Sequence, residues 1–332
     1  MADLKLSLAV GDYDQTRDLA LQRVRPNGID LTVLNSNVEE IFFRFYDRLE
    51  WDVSELSMGM YTSSISRGDN RFIAIPVFPS RVFRHSAIYI RTDGPIKTVG
   101  NLAGKRVGCP QWSQTATIYV RGYLSETVGI PLDSIEWLQA GVNDPGRREP
   151  SVLNLPQNVK LTNISDRCLN DMLLSGEIDA IISARPPKAL VAKDPRLQRL
   201  FPDYRAEEEK YFAATGIFPI MHTVAIRRDV YEANRWIARN LFLAFEEAKN
   251  RSVSRLRDLT AVHVPVPWLT DLMERAGDDL VFKGIDFWPY GVESNRKTLE
   301  AFLRFAHHQG TCHRLLKIDE LFAEEALAEI KI

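Results

Sequence analysis

The sequence predicts an α/β protein of two domains with largely parallel sheets. Its length, its composition and its alternation of strand-like and helix-like stretches predict this. The 332 residues fill about two domains at roughly 150 residues each. Apolar residues make up 45% and charged residues 26%, a globular balance that excludes global disorder. Short apolar strands that alternate with amphipathic helices point to βαβ units.

The first unit opens with the alternating strand Leu4–Val10, the loop Gly11-Asp12-Tyr13-Asp14 and a helix over Gln15–Val24. A turn at Pro26-Asn27-Gly28 leads into strand Ile29–Leu34. The helix Val38–Leu49 then gathers Ile41, Phe42 and Phe45 on one face. Phe72–Val77 and Ala87–Ile90 read as buried strands. A second unit starts near Thr92-Asp93-Gly94-Pro95, with a buried strand ending at Gly108, a helix from about Ser113 and a strand over Ile135–Leu138. Gly141–Lys160, with its prolines and the Arg147-Arg148 pair, reads as a long loop of the kind that is usually functional or disordered. Helix Cys168–Leu174 and strand Ile178–Ser183 follow. Strand His222–Arg227, a long helix over Val230–Arg251, a helix after Pro267, one around Leu299–Phe305 and a last one over Leu321–Ile330 complete the reading.

Charge and cysteine content narrow the function. Lys plus Arg number 42 and Asp plus Glu 44, a net charge of −2 that offers no bulk attraction to nucleic acid or an anionic membrane. No apolar run reaches the roughly 20 residues of a bilayer span. Met1-Ala2-Asp3-Leu4-Lys5 runs straight into the first strand without a basic and then apolar leader, so a cytoplasmic location is expected. Cys109, Cys168 and Cys312 lack disulfide or zinc spacing and read as small apolar fillers. A phosphate-cradling glycine loop, a GxSxG elbow, an HExxH pair and a nucleotide fingerprint are all absent.

Two phrases, LAGKRVGCPQWSQTA and LLSGEIDAIISARPP, resemble the second lobe of the type II periplasmic-binding-protein-like fold. GDYDQTR (11–17), RHSAIYIR (84–91), FPDYRAEEEKYFAATGIFPIMHTVAIRRDVYE (201–232) and DFWPYGVESNRKTLEAFLRFAHHQG (286–310) are similar to the 4,5-dihydroxyphthalate decarboxylase family across nearly the whole chain. The resemblance implies two α/β lobes with a ligand cleft between them. Lobe one would hold 1–88 and 226–332, lobe two 89–225, with crossing strands near 86–91 and 221–227. It further implies a lyase of phthalate degradation that converts 4,5-dihydroxyphthalate to protocatechuate and CO2. A non-catalytic solute-binding protein for an aromatic carboxylate is the alternative, since one scaffold serves both.

Aromatic decarboxylation needs a proton donor over the ring carbon and cations for the spectator carboxylate. A hydroxyl para to the leaving carboxylate takes up the electron demand, so no cofactor is required. His85 and His222, beside the implied crossings, are the candidate acid–base pair, with Asp12 to orient one imidazole. Ordinary structural histidines are the alternative, and a divalent metal stays open as a second use of the pair. Tyr13 and Arg17 share the first strand-to-helix loop with Asp12, where open α/β sheets bind ligands, and Asp14 reads as a cap. Glu55 is a second carboxylate candidate. Arg81 and Arg84 flank His85. Ser113, Gln114 and Thr115 open a helix whose free N–H groups suit a carboxylate. Arg185 is the preferred carboxylate clamp, and Trp288 and Tyr290 are candidates to stack on a ring or to pack between lobes. The expected partner is a small aromatic carboxylate, and any self-association is expected to give a homodimer.

Overall fold

A computed structural model describes residues 2–258, 260–275 and 286–327. The first lobe begins with β1 (Leu4–Val10), α1 (Asp14–Ala20), β2 (Ile29–Asn35), α2 (Val38–Arg48), β3 (Val53–Ser57), α3 (Met58–Ser66) and β4 (Phe72–Ile75). β1 pairs in parallel with β2 on one side and β3 on the other. A strand from far downstream, β11 (His222–Arg227), lies antiparallel between β3 and β4 and completes the order β2-β1-β3-β11-β4. This central placement explains why β3 is buried at every position, polar residues included.

The second lobe holds β5 (Ile88–Arg91), β6 (Arg106–Cys109), α4 (Thr115–Gly122), β7 (Glu136–Gly141), β8 (Lys160–Cys168), α5 (Leu169–Ser175), β9 (Ala180–Ile182), α6 (Lys188–Val191) and β10 (Leu197–Arg199). Its strand order is β10-β5-β9-β6-β7-β8. The central strands β5, β9 and β6 are largely apolar because both faces are covered, whereas the edge strand β8 is polar and mostly exposed. Ile88, Ile90, Ala180 and Ile182 pack on one side with Val107, Trp112 and Trp137, while Tyr89 and Ile181 pack on the other with Leu169 and Leu173. The helices α7 (Tyr204–Thr215), α8 (Arg228–Ala233), α9 (Ile237–Arg257), α10 (Leu269–Glu274) and α11 (Arg296–His308) complete the described elements. No helix among the described residues is long and apolar enough to cross a membrane.

Three expectations need correction. The helix expected over Val230–Arg251 is two helices, because Asn234 leaves helical backbone at φ −148°. Leu321–Ile330 forms no α-helix over its described part, only a single 3-10 turn at Glu324–Ala326, and 328–330 lie outside the described residues. Phe322 instead bridges Ala74 at the edge of the first sheet, and Ala323 N–H donates to the Ala74 carbonyl at 2.9 Å. The sequence reading resumed lobe one at about 226, yet β11 belongs to the first sheet from His222 onward, paired with Ser57. The passage between lobes lies upstream, where Arg81 bridges Ile220 and Met221 N–H donates to the Ser80 carbonyl at 2.8 Å.

Away from that passage, α4 packs against α3 and α11. Ala116, Ile118 and Tyr119 of α4 are buried in the core of the first lobe. Glycine is required at one close approach between the lobes. A Cβ added at Gly59 would sit 2.1 Å from the Ser113 carbonyl oxygen, a backbone atom of the other lobe. Gly59→Ala is therefore expected to cost about 1–3 kcal/mol in denaturant unfolding, as overpacking does. A midpoint equal to that of the parent would contradict this close approach.

Candidate active site

A cleft of about 390 Å³ opens between the lobes, with Phe42 and Phe43 of α2, Ser57, Arg84 and His222 on its walls, and Ser113–Ala116 facing them. The β3–β11 register builds its polar core. His222 pairs with Ser57 and Val224 with Glu55, and residues two apart on a strand share a face, so Glu55 and His222 become diagonal neighbours. His222 Nδ1 lies 2.6 Å from Glu55 Oε1. Tyr13 OH donates to the same oxygen at 2.7 Å, and Gly11 N–H donates to Oε2 at 2.8 Å. Glu55 is fully buried and acts as acceptor to all three groups, which places the Nδ1 proton on His222. Nε2 is thereby left for a ligand in the cleft. Phe42 packs edge-on against the imidazole, with ring centroids 4.7 Å apart. Burial, together with the Glu55 charge, holds the Tyr13 phenol far above its ordinary range, so it stays protonated.

On the α4 wall, Ser113 already meets an anion of the protein. Its hydroxyl donates to Glu149 Oε1, and its N–H donates to Oε2 at 3.2 Å. Burial pushes the Glu149 carboxyl above its usual value. Ser113 is therefore no empty anion site, since its hydroxyl proton and its N–H are both committed to Glu149. Thr115 Oγ1 lies 3.0 Å from Ser57 Oγ and accepts the Gly59 N–H at 3.0 Å, which ties α4 to the first lobe. Gln114 accepts the Ala184 N–H at 3.3 Å.

The cations divide into two sets. Arg84 lines the cleft, and burial pushes its guanidinium down to about 10. Its Nε–H is turned to the sulfur of Met221, 3.2 Å away, and not to a carboxylate. Arg185 also lines the cleft but is exposed, and with Arg147 it pairs with Glu39. Among the described residues no group of three or more His, Cys, Asp or Glu side chains is arranged to hold a metal ion.

No family model matches the chain. It is 37% identical over 333 residues to the 4,5-dihydroxyphthalate decarboxylase of Comamonas testosteroni, covering 100% of both chains. The chain belongs to the 4,5-dihydroxyphthalate decarboxylase family. The Pseudomonas putida protein of the same name is 38% identical over 215 residues, 64% of this chain and 83% of that one. Among solved structures, the periplasmic aliphatic sulphonate binding protein of Escherichia coli aligns with a TM-score of 0.55 at 11% identity, covering 98% of this chain and 99% of that one. The putative periplasmic sulfonate-binding protein of Methylobacillus flagellatus also gives 0.55, at 12% identity over 98% and 94% of the two chains. These structural likenesses show the fold: two α/β lobes of the periplasmic-binding-protein type.

Several residues expected at the site of this family member lie elsewhere. His85 is 5% exposed and enclosed by Tyr123, Phe201 and Tyr211, and neither ring nitrogen has a hydrogen-bond partner. It faces a separate small cavity, so the two histidines do not form a pair in the cleft. Asp12 is exposed, and Glu55 takes the orienting role expected of it. Arg17 is exposed and 3.6 Å from Asp14, which does not cap α1 but accepts from Ser252 and pairs with Arg255. Arg81 is buried at the hinge, where it donates to Asn295 Oδ1 at 2.7 Å and to the Phe218 carbonyl at 2.9 Å. Trp288 donates to the Phe78 carbonyl at 3.1 Å, and the buried Tyr290 ring packs beside the Lys249 ammonium, so both are structural. The sequence reading passed over Glu39 and Glu149 as site residues. An acidic residue in a first helical turn is ordinary, and Glu149 lies in an irregular loop.

Burial pushes the His85 imidazole from 6.5 down to about 4. Because the folded value is the lower one, its contribution to stability is complete above pH 6.5 and is lost as pH falls from there to about 4. The slope expected over that window is about 1.4 kcal/mol per pH unit. Urea unfolding of His85→Phe, followed from pH 7 to 4, should show the slope reduced by that amount. An unchanged slope would contradict a neutral, caged His85.

Proposed function

We propose that this protein decarboxylates 4,5-dihydroxyphthalate to protocatechuate and CO2 by protonating the ring carbon that bears the leaving carboxylate. The observation that carries this reading is His222, locked by a buried carboxylate and facing an aromatic-walled cleft beside an arginine turned away from any carboxylate. Membership of the decarboxylase family supports it from a separate direction.

The chemistry follows from these groups. With its Nδ1–H held by Glu55, His222 takes a proton from solvent at Nε2 and, as the imidazolium, delivers it to the ring carbon. Electron density for the new C–H bond comes from the ring, and the hydroxyl para to the carboxylate carries the resulting demand as a dienone once its proton is released to water. The C–CO2 bond then breaks, its electron pair restores the aromatic ring, and the oxygen recovers a proton. The net reaction consumes one proton and releases one CO2. Arg84 holds the spectator carboxylate, and Ser113 and Gln114 present polar groups to the ring hydroxyls. Phe42 and Phe43 enclose the ring.

In this reading no cofactor is needed, because the substrate's own hydroxyl accepts the electron demand. The cytoplasm is the proposed location, a reading supported by three buried, unbridged cysteines.

His222→Asn should lower single-turnover decarboxylation by roughly 10²–10⁴-fold, the usual contribution of a general acid, with little change in substrate affinity. Arg84→Gln should raise KM tenfold or more, equivalent to about 1.4 kcal/mol. EDTA-dialysed protein should keep its rate. Tight binding of the substrate by the parent protein without CO2 release would instead establish a binding protein.

A further inference from the structure

Two arginines at the cleft already hold a carboxylate that belongs to the protein. Glu39 sits in the first turn of α2 on the first lobe, whereas Arg147 and Arg185 come from loops of the second lobe. All three line the cleft. Arg147 approaches Glu39 with two prongs, Nη1 to Oε2 at 3.3 Å and Nη2 to Oε1 at 3.2 Å, and Arg185 Nη2 reaches Oε2 at 3.4 Å. Well-seated guanidinium–carboxylate bonds measure about 2.7–2.9 Å, so this carboxylate fits its clamp loosely.

The Arg147 arm of the clamp has holds other than Glu39. Arg147 also donates to Gln111 Oε1 at 2.9 Å and lies 5.4 Å from the centroid of the Phe43 ring. Its buried Nε has no acceptor. Glu39 is less constrained, with a third of its side chain exposed, and it sits at a helix start from which it can swing into water. The clamp therefore has a loosely bound internal occupant and an unused donor.

We infer that Glu39 is an internal stand-in for a substrate carboxylate. This inference rests on the proposed decarboxylation and adds a second carboxylate site to it. A dicarboxylate with adjacent carboxylates turns one toward Arg84 and the other toward the Arg147–Arg185 pair, which line the same cleft, and the second displaces Glu39. Charge balance at the pair is preserved by the exchange. Loss of CO2 leaves the product one carboxylate poorer, and it can no longer hold both positions. Glu39 returns to the clamp and competes the product out, which couples the chemical step to release.

Glu39→Gln keeps the size of the side chain and the Asn37 cap of α2 while removing the competing charge. Calorimetric titration with phthalate, which carries two carboxylates, should show affinity three- to tenfold tighter than in the parent, roughly the range of one partly exposed ion pair. The same substitution in an Arg147→Gln background should give no gain. Weaker or unchanged phthalate binding in Glu39→Gln would overturn the inference and make Glu39 a latch that holds the lobes together. An equal gain in the Arg147→Gln background would also overturn it. The titration needs no turnover. A parent protein that binds phthalate but releases no CO2 from 4,5-dihydroxyphthalate therefore fails the proposed function separately from this test.

Discussion

A carboxylate with no access to water must be surrounded by donors, and the candidate site is organised around one that is. Glu55 gives up its hydration inside the first sheet and receives the Gly11 N–H, the Tyr13 hydroxyl and the His222 Nδ1–H in exchange. Those three donors come from two parts of the chain: the loop between β1 and α1, which supplies Gly11 and Tyr13, and the first residue of β11. The carboxylate thus fixes the tautomer and direction of the imidazole and joins the amino-terminal loop to the returning strand. Without it, His222 would be one more half-buried histidine against Phe42.

Charge around the cleft is unevenly neutralised. Glu149 serves Ser113 and its neighbours, and Glu39 serves Arg147 and Arg185, so these groups balance within the protein. Arg84, turned to the Met221 sulfur and not to a carboxylate, lines the cleft together with His222. A binding protein needs complementarity to its ligand alone. The proposed acid–base role adds a proton donor locked in one orientation, which is the feature that supports an enzyme on this scaffold.

Much of the architecture was legible in the sequence, since buried strands flanked by amphipathic helices carry their own periodicity. Apolar runs give the bounds of β11, and proline and glycine spacing gives a long loop at Gly141–Lys160, which the structure narrows to 142–159. The site was less legible because it depends on which strands become neighbours. Asp12 reads as the better partner for an imidazole, and Glu55 as a second carboxylate, until β11 is known to lie antiparallel beside β3. That register, His222 opposite Ser57, selects Glu55. His85 looked equivalent to His222 because both flank the implied crossings, but a one-turn helix at His85–Ala87 directs it into an aromatic cage. Trp288 and Tyr290 stay open between stacking on a ring and packing between lobes, because aromatic rings in a proline–glycine loop give no sign of which way they face.

The most direct test of the account is the single-turnover rate of Glu55→Gln with 4,5-dihydroxyphthalate, measured beside phthalate affinity as the control for an intact cleft. Because Gln offers no charge and disturbs the acceptor set, the account predicts a rate lowered by roughly 10²–10⁴-fold, with affinity within about tenfold of the parent. A rate close to that of the parent would show that the buried carboxylate does not set the proton donor, and would contradict the account.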